Sequence, residues 1–252
     1  MAHWLDTVCY PFDHAILEAI HNFTLSTGGF FTLLLEIITF FANDGLGMIF
    51  LGLVLCCFAK SRRVGMTVLF SVACGALITN VALKNIVVRP RPYADITRDI
   101  HQWWVYITEH SFFKFTVSDH SFPSGHTTAT VAAMSAVFLT TDKKKSWPVF
   151  IFAALMGFSR MYLMVHYPTD VLAGLLAGAL GAVGGYFLVK LLYRVLEKRR
   201  DNKLVGFYYS FDVIALFKGK KEVGSAADSE ESPETGRENK ENDENSPKGS
   251  GE

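Results

Sequence analysis

Three stretches of this chain run for roughly twenty residues without a charged side chain. Val64–Leu83 holds 20, Ser121–Thr141 holds 21 with His126 counted as neutral, and Val171–Val189 holds 19. At about 1.5 Å per helical residue, each can cross a hydrocarbon layer about 30 Å thick. A soluble core helix has no need of that length, and several such runs in 252 residues point to a membrane bundle. Ser146–Val165 reads as a further span broken only by Arg160, and Gly45–Ala59 as a shorter one. Gly29–Asn43, which carries Glu36, is the sixth and weakest. Ahead of it, Phe12–Phe23 sets Asp13, His14, Glu18, His21 and Asn22 against Ile16, Leu17, Ile20 and Phe23. That two-sided pattern suits a helix lying in the membrane interface. The expectation is all-α: an integral membrane bundle of about six transmembrane helices, with an N-terminal interfacial helix and a disordered C-terminal tail.

Charge sharpens the division. The formal net charge is zero, yet residues 222–252 carry −7 and residues 1–221 carry +7. The tail is rich in Glu, Ser, Asn, Gly and Pro and almost devoid of apolar side chains, so it should be disordered. The basic excess of the body is too small for a dedicated nucleic-acid binder. Four expected regions follow: an N-terminal segment (1–27), a transmembrane domain (28–200), a juxtamembrane basic and aromatic segment (201–221) and the acidic tail (222–252). Lys60, Arg62 and Arg63, then Lys143–Lys145, then Arg194 and Lys198–Arg200, all fall on one face by parity. The positive-inside rule makes that face cytoplasmic. The four cysteines show no disulfide or zinc spacing and read as small apolar residues.

The chemistry gathers at the opposite face. Lys84 lies at the outer end of the third span, and the prolines of Arg89-Pro90-Arg91-Pro92 stop that helix so that Lys84 and Arg91 can converge. Pro123-Ser124-Gly125-His126 opens the fourth span, with Ser124 placed as an N-cap and free N–H groups facing an anion. Ser159-Arg160 closes the fifth span, and His166-Tyr167-Pro168-Thr169-Asp170 opens the sixth, with Pro168 suited to a first helical turn. Asp170 falls four residues after His166, within hydrogen-bond reach of its imidazole. Taken singly, Lys84 is a snorkelling lysine, Asp170 a helix-start acid and His126 a first-turn histidine. Their joint occurrence at one membrane depth points instead to a pocket for a polyanion, with phosphate the natural occupant.

The three segments K-x6-R-P (Lys84–Pro92), P-S-G-H (Pro123–His126) and S-R-x5-H-x3-D (Ser159–Asp170) together resemble the type 2 phosphatidic acid phosphatase superfamily. That group includes undecaprenyl-diphosphate phosphatases, phosphatidylglycerophosphatases and vanadium haloperoxidases, and the resemblance covers about residues 28–195. Met164 departs from it, standing where many relatives carry a smaller residue. The resemblance implies a two-step phosphoryl transfer: His166 attacks phosphorus, Asp170 orients its ring, and His126 protonates the leaving oxygen. Lys84, Arg91, Ser124, Gly125 and Arg160 are then the phosphate-binding residues. It implies no metal and no cofactor. The expected partner is a membrane lipid phosphate or diphosphate, best undecaprenyl diphosphate, handled at the extracytoplasmic face of a multi-pass cell-membrane enzyme. Phosphatidylglycerophosphate or phosphatidate is the nearest alternative substrate. A phosphotransferase using the same histidine is a second class, and a non-catalytic lipid-phosphate binder a third.

Overall fold

The computed structural model describes residues 2–41, 43–113 and 120–215, and the side chains of residues 2, 3 and 44 are not described. The acidic tail and residues 216–221 of the juxtamembrane segment lie outside the described residues. Among the described residues all regular secondary structure is helical, with no strand. Residues 1–212 form one compact unit, and residues 213–215 are a helical turn belonging to a second.

In chain order the helices are α1 (Ala2–Ser26), α2 (Thr32–Phe40), α3 (Leu46–Cys56), α4 (Arg62–Ala76), α5 (Lys84–Ile86), α6 (Asp99–Glu109), α7 (Gly125–Thr140), α8 (Lys143–Ser146), α9 (Val149–Tyr162), α10 (Pro168–Glu197) and α11 (Lys203–Ser210). A π-helical stretch, Leu77–Leu83, joins α4 to α5 without a break. Among the described residues, two helices are long and apolar enough to cross a membrane: the continuous Arg62–Ile86 and α10. The other expected spans are helical but shorter than their apolar runs: Thr32–Phe40, Leu46–Cys56, Gly125–Thr140 and Val149–Tyr162.

α10 shows what surrounds the bundle. Leu172, Leu176, Leu180, Val183, Phe187, Leu191 and Val195 recur every three or four residues and all stand exposed. The opposite side of the same helix buries Gly174, Gly178, Gly181 and Gly185. Large apolar side chains outside and small residues inside invert the soluble pattern, as expected where lipid covers the surface and backbones pack closely. The glycines have no room to be anything else. A Cβ at Gly185 would lie 2.4 Å from the Ser71 nitrogen of α4, and one at Gly174 would lie 2.9 Å from the Ser124 carbonyl oxygen beside α7. This close trio of α4, α7 and α10 fixes the helix ends that carry the expected site.

α2, at nine residues, is shorter than the Gly29–Asn43 run expected as the weakest crossing. Its first residue, Thr32, hydrogen-bonds the Tyr162 hydroxyl (3.1 Å), and Thr39 bonds Ser159 (3.0 Å), so it lies against the last turn of α9. Gly45, just beyond it, packs beside Ala129 in the second turn of α7. Both ends therefore sit near the same ends of α7 and α9. Glu36 is wholly buried and accepts hydrogen bonds from the Ser111 hydroxyl and the Phe112 N–H (3.1 Å).

The N-terminal helix is longer than Phe12–Phe23 and contains Pro11. Leu17 and Ile20 face the core as the pattern required, but Asp13, expected on the polar side, is completely buried. Arg62, one of the bases expected on the cytoplasmic face, is buried: it donates to the carbonyls of Tyr208 and Phe211. Those carbonyls close the C-terminal turn of α11, where a helix lacks internal donors.

Candidate active site

Four helix ends meet at the expected place. The π stretch ends at Leu83, one residue before Lys84, and after α5 the non-helical residues 87–91 lead to the buried Arg91. Pi turns are concentrated at functional positions, and this one resets the helix just before its terminal lysine. Arg91 donates through Nη1 to the Val165 carbonyl (2.8 Å) and approaches His166 Nε2 at 3.2 Å. With Nε2 accepting that contact, the imidazole proton sits on Nδ1.

His166 lies in the turn between α9 and α10, and its backbone N–H is received by the Arg160 carbonyl (3.3 Å). The turn depends on Met164, whose φ of 53° is left-handed and whose side chain is fully buried. His166 itself is almost fully buried, with Nδ1 3.6 Å from Asp170 Oδ2 and in no hydrogen bond. The sequence predicted a hydrogen bond there; the structure sets the pair slightly too far apart. Asp170 instead spends Oδ2 on the Tyr167 N–H (2.8 Å) and Oδ1 on Arg89 (2.9 Å). Tyr167 is the N-cap residue and Pro168 follows it at the first helical position, as predicted.

Ser124 occupies the N-cap position of α7 but makes no side-chain cap bond, contrary to expectation; its hydroxyl accepts from Thr127 (3.0 Å). Its N–H is tied to the Asp170 carbonyl (3.0 Å), so α7 and α10 begin side by side. Gly125 faces open space where a Cβ would stand. The next residue, His126, presents an Nε2 with no hydrogen-bond partner. Lys84, Arg91, Arg160 and His166 all lie within electrostatic reach of it.

Burial first, and then the charges of Arg91, Arg160 and Lys84, hold the His166 imidazole well below its ordinary 6.5. A neutral histidine ringed by three cations, with a second histidine beside it and helix N–H groups at its edge, can receive a phosphoryl group and stabilise its oxygens.

Sequence reasoning missed Arg89. It is completely buried and bonds Asp6, Asp13, Asp170 and Thr169, while its guanidinium stacks on the Tyr167 ring at 3.8 Å. Its signal was the first arginine of Arg-Pro-Arg-Pro, read there only as part of a helix stop.

Fold and site together define an all-helical protein whose helix ends enclose a cation-lined histidine pocket. The chain belongs to the PAP2 superfamily, whose family model matches residues 64–200, more than half of its length. It is 35% identical over 99 residues to undecaprenyl-diphosphatase BcrC of Bacillus subtilis, covering 39% of this chain and 45% of that protein. It is 32% identical over 124 residues to an undecaprenyl-diphosphatase of Sulfolobus acidocaldarius (48% and 53%). A lipid A 1-phosphatase of Rhizobium johnstonii is 32% identical over 120 residues (46% and 44%). The chain thus spans about half the length of the curated relatives it matches. The crystal structure of Aquifex aeolicus LpxE shares the fold, with a TM-score of 0.51 at 23% identity, covering 68% of this chain and 92% of that one.

Proposed function

We propose that this protein is a membrane lipid phosphatase that removes phosphate from a lipid phosphate or diphosphate through a phosphohistidine at His166. The observation that carries the reading is the approach of Arg91 to His166 Nε2 at 3.2 Å, with the charges of Lys84 and Arg160 bearing on the same ring. In the first step Nε2 forms a bond to phosphorus, and the bond from phosphorus to the lipid oxygen breaks. His126 supplies the proton that the leaving oxygen needs. In the second step water attacks phosphorus, His126 takes its proton, and His166 departs as the neutral imidazole. Lys84, Arg91, Arg160, Ser124 and the Gly125 N–H hold the phosphoryl oxygens while charge moves between them. Asp170 closes on His166 Nδ1 as the ring gains positive charge. The chemistry assigned to these side chains calls on no metal.

Undecaprenyl diphosphate is the favoured substrate, because two relatives bearing that activity in their names are 35% and 32% identical over 99 and 124 residues. A phosphorylated lipid A is the second reading, favoured by relatives named lipid A 1-phosphatase. The exposed apolar stripe of α10 suits an enzyme whose substrate tail remains in lipid. We place five crossings, α3, α4–α5, α7, α9 and α10, with α1 and α2 at the active-site face and that face away from the cytoplasm.

Purified protein in detergent should release phosphate from one of undecaprenyl diphosphate, lipid A, phosphatidylglycerophosphate or phosphatidate well above the others. Turnover should survive EDTA and vanish in His166→Ala. Activity abolished by EDTA, or retained without the His166 ring, would sink the mechanism. Mass analysis of products with a lipid acceptor present separates hydrolysis from phosphotransfer.

A further inference from the structure

Arg89 stands outside the residues assigned to phosphate, yet each of its three guanidinium nitrogens is hydrogen-bonded. Nε bonds Asp6 Oδ1 at 3.0 Å, Nη2 bonds Asp13 Oδ2 at 2.8 Å, and Nη1 bonds both Asp170 Oδ1 at 2.9 Å and Thr169 Oγ1 at 2.8 Å. Asp13 reaches the same turn directly, accepting from the Thr169 N–H (2.9 Å) and hydroxyl (2.7 Å). Arg89, Asp13 and Asp170 have no exposed surface, and Asp6 lies at the edge of the cluster with its side chain 19% exposed. Burial opposes the charge, yet Asp170, Asp13 and Asp6 hold the guanidinium above its ordinary value.

Stability alone does not call for such a cluster, since apolar packing of equal volume commonly serves as well. What the cluster supplies is orientation. Asp170 Oδ1 is held by Arg89 and Oδ2 by the Tyr167 N–H, which fixes the carboxylate plane. Oδ2 is thereby aimed at His166 Nδ1, 3.6 Å away and in no other hydrogen bond. Two of the three carboxylates come from α1, which precedes the family segment 64–200.

We infer that Arg89, anchored by Asp6 and Asp13, is a positioning residue that sets His166 through Asp170, so that the N-terminal helix is a working part of the active site. This rests on His166 being the nucleophile. When Nε2 bonds phosphorus and the leaving oxygen takes its proton from His126, the imidazolium needs a carboxylate at Nδ1 that stays ionised. The Arg89 bond to Oδ1 favours the ionised form of Asp170 and opposes its drawing the proton off the ring.

The test uses the protein in detergent with undecaprenyl diphosphate as the probe, comparing Asp6→Asn, Asp13→Asn, Arg89→Gln, Arg89→Lys and His166→Ala. His166 also faces Arg91, Arg160, Lys84, His126 and Asp170, all unchanged in the first four variants. Asp13→Asn and Arg89→Gln should lower kcat about 10- to 100-fold, as loss of a partner that orients a reacting group does, with KM little changed. Their acid limbs should move in opposite directions. Losing the Asp13 charge shifts it to lower pH, and losing the Arg89 charge shifts it to higher pH. Thermal unfolding is recorded for each variant. Should Arg89→Gln not fold, Arg89→Lys and Asp6→Asn decide, each expected to lose several-fold in kcat while melting near the parent. Folded variants with parental kcat and pH profile would overturn the inference, as would losses that merely track the folded fraction. Turnover in His166→Ala would overturn the nucleophile assignment itself, a result distinct from parental behaviour at Asp13 and Arg89.

Discussion

At the scale of single residues, Met164 and His166 show two costs accepted in one turn. Met164 is left-handed at φ 53°, a conformation that costs an L-residue about 1–2 kcal/mol and costs glycine almost nothing. Its side chain is nevertheless fully buried, and removing a buried methionine costs about 2–5 kcal/mol. Burial wins, so Met164→Gly should lower the melting temperature despite relieving the backbone; a rise would show that strain dominates. For His166 the matter is protonation. Its depressed pKa keeps the nucleophile neutral below 6.5, so the acid limb of kcat/KM should lie on the acid side of that value. The sign for stability is the reverse. As pH falls through the ordinary value, the unfolded chain binds a proton that folded His166 refuses, and stability drops. Measuring both profiles on one preparation checks the pair.

Among elements, the contact of α10 with α4 and α7 sets the site, and its glycines separate packing from function. At Gly185 a Cβ would sit 2.4 Å from Ser71, so Gly185→Leu forces two backbones apart. It should cost at least about 1–3 kcal/mol, read as a lower melting temperature in detergent. Gly125 is the counterpart: a Cβ there meets nothing within 4 Å. Gly125→Ala should therefore melt like the parent but raise KM, because the methyl group enters space assigned to phosphate. Parental kinetics in Gly125→Ala would remove that position from the binding site. Arg62 makes a related point about polarity. A base counted by charge as a surface anchor is buried because the end of α11 offers it unpaired carbonyls, and no local pattern near residue 62 reveals a partner at residues 208 and 211.

For the whole molecule, the two ends of the chain carry the decisive difference between five crossings and six. Asp6 and Asp13 bond Arg89 and Thr169 at the active-site end, while α10 runs from that end to Glu197. Five crossings place reporters fused before Ala2 and after Glu197 on opposite sides of the membrane; six would place them on the same side. Reporters that respond from one compartment only would overturn the five-crossing arrangement. Helical class, the long apolar spans and the order of the three motif segments were legible in the chain because hydropathy and short motifs are local properties. So was the meeting of Lys84, Arg91, His126, Arg160 and His166, since parity alone sends their helix ends to one face. Tertiary structure decided that α2 rests against α9, that Asp13 leaves the polar side of its helix, and that Asp170 answers to Arg89 before His166. Each of those outcomes depends on a charge or hydroxyl finding its partner more than seventy positions away, and a pattern read along one segment carries no record of the group that will satisfy it.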